Sequence, residues 1–121
     1  MKKSDGVKYN ITPIKEQSKP IILEQHLKFE VYPKDLGKHN WENAKKVCED
    51  LGDNWRLPTR EELHLIWLNK DNIGFFVDND YWSSVEDGDN FAWELLFSFG
   101  KQISSIKSFK YNVCAVRDLS I

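Results

Sequence analysis

The stretch "NWENAKKVCEDLGDNWRLPTREELHLIW", Asn40 to Trp67, decides how this chain folds. It holds three of the five tryptophans and one of the two cysteines. Asn40 suits a helix N-cap, because its side-chain oxygen can accept from a backbone N–H that the helix leaves unpaired. Behind it Trp41, Ala44, Cys48 and Leu51 recur at helical spacing and share one face. Polar residues fill the other face, with acid early, and Gly52 stands where such a helix would end. A second helix starts at Thr59-Arg60-Glu61-Glu62. This is a capping box, in which the Thr59 hydroxyl and the Glu62 carboxylate each accept from the other residue's backbone N–H. Pro58 holds Leu57 extended, so the helix cannot begin earlier. Leu63, Ile66 and Trp67 form its apolar stripe, and it ends between Asn69 and Asn72. Trp55-Arg56-Leu57-Pro58-Thr59 is therefore a stiff connector between two helices, with Arg56 facing a fixed direction.

Outward from these helices the pattern changes to strands. Leu27 to Tyr32 alternates apolar and polar residues, the period of a half-buried strand. Tyr81 to Val85 is short and β-prone, and Glu86 to Asn90 reads as a turn. Phe91 to Phe99 and Gln102 to Ile106 flank Gly100-Lys101 as a hairpin, and Tyr111 to Arg117 makes a last strand. Residues 1–25 are lysine-rich and interrupted by Pro13 and Pro20, so they read as a loosely ordered arm that can dock through Ile21 to Leu23. The domain proper is expected over residues 26–121. The fold class is α+β: two helices packed on a small, mostly antiparallel twisted sheet with long loops.

A chain of 121 residues is one domain's worth, with 40% hydrophobic and 30% charged residues. A net charge of −2 argues against nucleic acid, which demands a basic face. No apolar run approaches the ~20 residues of a membrane-spanning helix. The basic start lacks the apolar segment of a signal peptide. That places the protein in the cytoplasm, or outside it if a leader has been removed. Asn10-Ile11-Thr12 fits a glycosylation sequon that matters only for an exported chain. The oligomeric state is not encoded in any pattern seen here.

Enzyme signatures are missing: there is no phosphate loop, no nucleophile elbow and no His-Glu-x-x-His pair. His26, His39 and His64 stand apart in sequence, and the Ser83-Ser84 and Ser104-Ser105 pairs have no neighbouring base. The expectation is a non-enzymatic protein without a cofactor. One acidic stretch is richer in chemistry. Asp78, Asp80, Asp87 and Asp89, with Glu86 and Asn90 beside them, could offer the oxygen ligands that calcium collects. Their spacing departs from the EF-hand loop, and a solvated acidic loop competes with calcium as the reading. Trp82 and Trp93 could stack on sugar faces, or could pack the core, which is the reading preferred for Trp93 in its apolar strand. Cys48 and Cys114 match no zinc or redox spacing. They are either two buried thiols or one disulfide, worth ~4 kcal/mol in the chain-entropy account.

With these residues laid out, "WENAKKVCEDLGDNWRLPTREEL", "DYWSS", "FAWELLFSFG" and "YNVCAVRD" together resemble the bacterial domain-of-unknown-function 1566 family over Leu27 to Asp118. That family includes the C-terminal domain of the Legionella collagen-like adhesin, and its fold is similar to C-type lectins. The resemblance implies a C-type-lectin-like, adhesin-like binding module. It also implies that Cys48 on the first helix pairs with Cys114 in the final strand, although the cysteine of that strand often stands one position later. A one-residue shift reverses the facing of a strand residue, so the disulfide stays open. The resemblance further implies structural roles for Arg56 and Arg117, together with Trp41, Trp55, Pro58, Thr59 and Glu62. The calcium and sugar motifs of C-type lectins, Glu-Pro-Asn, Gln-Pro-Asp and Trp-Asn-Asp, do not occur, nor does the cysteine pair of formylglycine-generating enzymes. The expected function is non-catalytic recognition of a glycan or a cell-surface component through the 71–90 region. Asp80, Tyr81, Trp82, Ser84, Glu86, Asp87, Asp89 and Asn90 would make the contacts. The competing expectation is a protein-interaction or structural domain that uses the scaffold without binding sugar.

Overall fold

A computed structural model describes residues 28–76 and 79–119, and the backbone alone of residues 21–24. The two helices begin where the capping residues put them. Asn40 accepts from Asn43 N–H and opens α1, Trp41–Glu49. Thr59 and Glu62 form the reciprocal capping box that opens α2, Arg60–Leu68. A third, one-turn helix, α3 (Lys70–Ile73), follows at once and ends at Gly74 in the left-handed region. The expected pair of helices is thus a set of three, because the apolar pattern carries on to Ile73, which is fully buried.

The strands form two sheets rather than one. In the first, β1 (Ile21–Glu24), β2 (Lys28–Val31) and β8 (Val116–Asp118) lie in the order β1-β2-β8, all antiparallel. β1 lies within the 1–25 segment, where Ile21 to Leu23 were expected to dock. The second sheet has the order β3-β7-β4-β5-β6, from β3 (Lys38–His39), β4 (Asp80–Glu86), β5 (Phe91–Leu96), β6 (Lys101–Ile106) and β7 (Tyr111–Asn112). Its pairs are antiparallel except β4 with β7, which is parallel. The last strand expected from Tyr111 to Arg117 is broken in two. Val113, Cys114 and Ala115 are all fully buried and cross from one sheet to the other. Their backbone is matched by the β2–β3 connection instead, with Tyr32 N–H donating to Ala115 O and Leu36 N–H to Val113 O.

Two apolar clusters lie on opposite faces of β4. Tyr81 joins Leu63 and Ile66 of α2, Leu95 of β5 and Phe29 of β2. The next residue, Trp82, joins Trp41, Ala44 and Cys48 of α1, with Leu57 and Ala92. Because side chains alternate across a strand, adjacent buried rings mark a strand covered on both faces. Indole N–H groups pin the layers together: Trp41 donates to Ser83 O at 2.9 Å, Trp82 to His39 O at 2.8 Å and Trp67 to Phe97 O at 2.6 Å.

The β5–β6 turn closes on Trp67. Gly100 has φ +71, and a Cβ built there would lie 2.6 Å from the Trp67 ring. Gly88 has a similar φ of +82 with nothing within 4 Å. Gly100→Ala is therefore expected to cost ~1–2 kcal/mol for the left-handed backbone and a further ~1–3 kcal/mol for overpacking. Gly88→Ala should cost only the first part. Urea unfolding of the two variants side by side measures the difference.

Candidate functional site

Part of the region expected from sequence as the binding surface lies in the core. Tyr81 and Trp82 are fully buried, so neither ring is available to stack on a sugar. Asp80 opens β4 and Glu86 closes it, which sets Asp80 roughly 20 Å from Asp87 and Asp89 at the extended-strand rise. Asp80 is thus not gathered with Asp87 and Asp89. Asp78 lies outside the described residues, as do His26 and the Asn10 sequon. Among the described residues no group of three or more His, Cys, Asp or Glu side chains could hold a metal ion. Glu86 pairs with Lys107, whose ammonium also reaches Asp89 O at 2.8 Å, and this cation holds the Glu86 carboxyl below its ordinary range. Ser84 is half-buried, and its N–H donates to Pro58 O at 2.8 Å. Asp87, Asp89 and Asn90 are exposed in the β4–β5 turn. Trp93, expected in the core, is half-buried at the surface with the Arg60 guanidinium 3.9 Å over its ring.

The connector residues converge instead. Arg56 adds itself to β8, exchanging backbone hydrogen bonds of 2.8 Å with Val116 in both directions. Its guanidinium forks onto Glu62, Nη1 to Oε1 at 2.7 Å and Nη2 to Oε2 at 2.9 Å, and reaches Asp118 at 2.6 Å. Glu62 Oε1 also accepts from Thr59 N–H at 2.8 Å. One carboxylate therefore caps α2 and neutralises Arg56, and the bond to Glu62 before all else raises the Arg56 pKa. Arg117 sits in a parallel arrangement, donating to Glu30 at 2.9 Å with its guanidinium 4.4 Å over the Trp55 ring. Both guanidiniums line a cleft of about 820 Å³ with Glu30, Asp53, Trp55 and Asp118. Since each is already paired with acids, the cleft is a scaffold feature with its cations committed.

A second cluster was missed from sequence. Glu94 is 1% exposed in the middle of β5. Ser105 Oγ donates to its Oε2, and Asp80 and Tyr111 come within hydrogen-bonding reach of the same carboxyl. Burial first, and the contact with the Asp80 carboxyl second, push Glu94 up to about 7. Burial likewise raises the Tyr111 hydroxyl. A lone acid inside the apolar run Phe91 to Phe97 was the available signal. Asp35 is another convergence point, accepting from the Tyr81 hydroxyl, Asn112 Nδ2 and Gly37 N–H.

The cysteines are both free and buried. They lie close enough to act on one another, since Cys48 adds to the burial that raises Cys114. Burial, then Glu49, pushes the Cys48 thiol up to about 12.

Compared with known protein families, residues 35–117 match the one described as Domain of unknown function (DUF8780). The chain belongs to this family. The assignment corrects the resemblance to the domain-of-unknown-function 1566 family, and with it the adhesin-like and carbohydrate-binding expectations that the resemblance supplied. The motifs that carried it describe packing: Trp-Arg-Leu-Pro-Thr is a capped connector, and Tyr-Trp-Ser-Ser is a strand buried on both faces. No curated protein matches the chain.

Two predictions follow the geometry. Arg56→Ala strands the Glu62 carboxylate, whose side chain is 7% exposed, without its cation. Breaking a buried pair in this way costs about 3–5 kcal/mol. Asp118→Ala removes a partner that is 82% exposed and should cost below about 1 kcal/mol. Chemical denaturation of both variants separates the two roles, and an Arg56→Ala protein of wild-type stability would contradict them. For the thiols, a colorimetric thiol reagent at pH 8 should react with neither cysteine in the native protein and with both in non-reducing guanidinium. Absence of reaction after unfolding would mean that a disulfide had formed.

Proposed function

We propose that the chain is a non-catalytic recognition domain that takes an extended segment of a partner protein along the edge of β6. The single observation that carries this reading is the open edge of the β5–β6 hairpin with large apolar side chains beside it. Lys107 N–H donates to Asn90 O at 2.9 Å, and Phe91 stands opposite Ile106. By antiparallel alternation, the odd-numbered residues of β6 face β5, while the backbone N–H and C=O of Gln102 and Ser104 point away from it. Among the described residues no strand pairs with that side of β6. Ile103 and Ile106 are exposed along the strand, Phe91 across from it and Phe109 just beyond it. Such an edge is a template for strand addition, in which main-chain bonds supply affinity and alternate side chains supply selectivity.

The commitment of Arg56 and Arg117 to internal acids supports the non-catalytic part, because the two guanidiniums lining the cleft are already paired. A glycan reading loses its platform with Tyr81 and Trp82 in the core. A C-type-lectin-like scaffold remains part of the proposal. It is supported by Cys48 on α1 lying near Cys114, just ahead of β8.

Ser104→Pro tests the reading, since proline there removes an outward N–H and leaves the ladder to β5 intact. A random peptide library panned against the wild-type protein should enrich segments with alternating apolar residues. Those peptides should bind the proline variant at least tenfold more weakly while its melting temperature stays within a few degrees. Peptides that bind both proteins equally, or no enrichment at all, would sink the proposal.

A further inference from the structure

Four neighbouring strands bring polar side chains to one spot on the sheet. Asp80 comes from β4, Glu94 from β5, Ser105 from β6 and Tyr111 from β7. Trp82 stands opposite Glu94 and Ser105 opposite Ala92, so alternation puts Asp80, Glu94 and Ser105 on the same face. Ser105 occupies Oε2 of Glu94, and Oε1 is buried with no hydrogen-bond partner as a carboxylate. Two carboxyl groups in hydrogen-bonding reach of each other cannot bond unless one of them carries a proton. A proton between Glu94 and Asp80 satisfies the orphaned oxygen and removes the repulsion at the same time.

We propose that Glu94 holds a proton toward Asp80, the two carboxyls sharing it as a pH-sensitive latch across β4, β5 and β6, closed while the proton is held and released when Glu94 ionises. No cation stands among the groups that act most strongly on Glu94. Lys101, on the same face of β6, is exposed and stands opposite Leu96. Lys107 is engaged by Glu86. His39, the cross-strand partner of Tyr111, has its Nε2 at Leu36 O. Ionisation of Glu94 therefore sets a buried charge against the Asp80 carboxyl with no cation between them. Asp80 is half-buried at the first position of β4, so the repulsion acts at the start of that strand.

The proton affinity of Glu94 sets the direction. Its folded-state value of about 7 lies above the ordinary 4.5 of a glutamate, so the folded protein binds this proton more tightly than the unfolded chain. The stabilisation is complete below about pH 4.5 and is lost as pH rises through 7.

Carboxyl-carbon NMR titration of the full chain, wild type and Asp80→Asn, tests the latch. In the wild type the Glu94 carboxyl should titrate near pH 7. Asp80→Asn should lower that midpoint by at least one pH unit, a tenfold loss of proton affinity. Hydrogen exchange at the Asp80 to Trp82 amides, corrected for intrinsic rate, should quicken at least tenfold between pH 6 and 8.5 in the wild type and not in Asp80→Asn. A wild-type midpoint below pH 5, or one that Asp80→Asn leaves unmoved, would refute the shared proton. A midpoint near 7 with unchanged exchange would refute the latch.

Discussion

The contact between Arg56 and Glu62 is the constraint on which the remaining structure depends. Glu62 sits at the first turn of α2 because a capping box needs an acid there, and that position places it under the connector. A carboxylate so buried would be costly alone, but a forked guanidinium offsets the cost with two parallel charge-assisted bonds. Arg56 can deliver that fork only because its own backbone is fixed to Val116. Helix start, connector and final strand are thus tied through one side chain. The cleft beside it follows from that tie and owes its polar lining to the same acids and guanidiniums.

How much of this was legible in the sequence depended on the range of each interaction. The helix starts were readable because Asn40 and Thr59 act on residues three positions away. The Arg56 partnership with Glu62 was half readable, since the capping box announced the acid but not its second role. Asp118 lies 62 residues from Arg56, and no local pattern could connect them. Tyr81-Trp82 misled for a specific reason: both rings were expected at the binding surface, whereas α1 and α2 cover β4 from both sides. The break in the final strand was hidden because Val113 to Ala115 reads as uniformly apolar whether it pairs in one sheet or crosses between two.

The two polar clusters play opposite parts in the same sheet system. At Arg56 a cation meets acids, so the charges hold the connector together. At Glu94 the nearest charged neighbour is another acid, and the order of the strand start depends on a proton. A single domain therefore carries a rigid half, built round α2 and β8, and a half whose order can respond to its surroundings. The open edge of β6 belongs to the second half, one strand from Glu94.

The crossing of Val113 to Ala115 has a consequence for how the chain assembles as it is made. β8 is the last element to emerge, yet it supplies the backbone partners of both β2 and Arg56. On a ribosome moving at roughly 5–20 residues per second, several seconds separate the appearance of Arg56 from that of Val116. During that interval α1 and α2 can form, while β2 offers an unmatched edge and Phe29 and Val31 lack their cover. The nascent domain thus passes through a stage in which its helix-forming segments are present and the β8 edge of its first sheet is open, and β8 closes it.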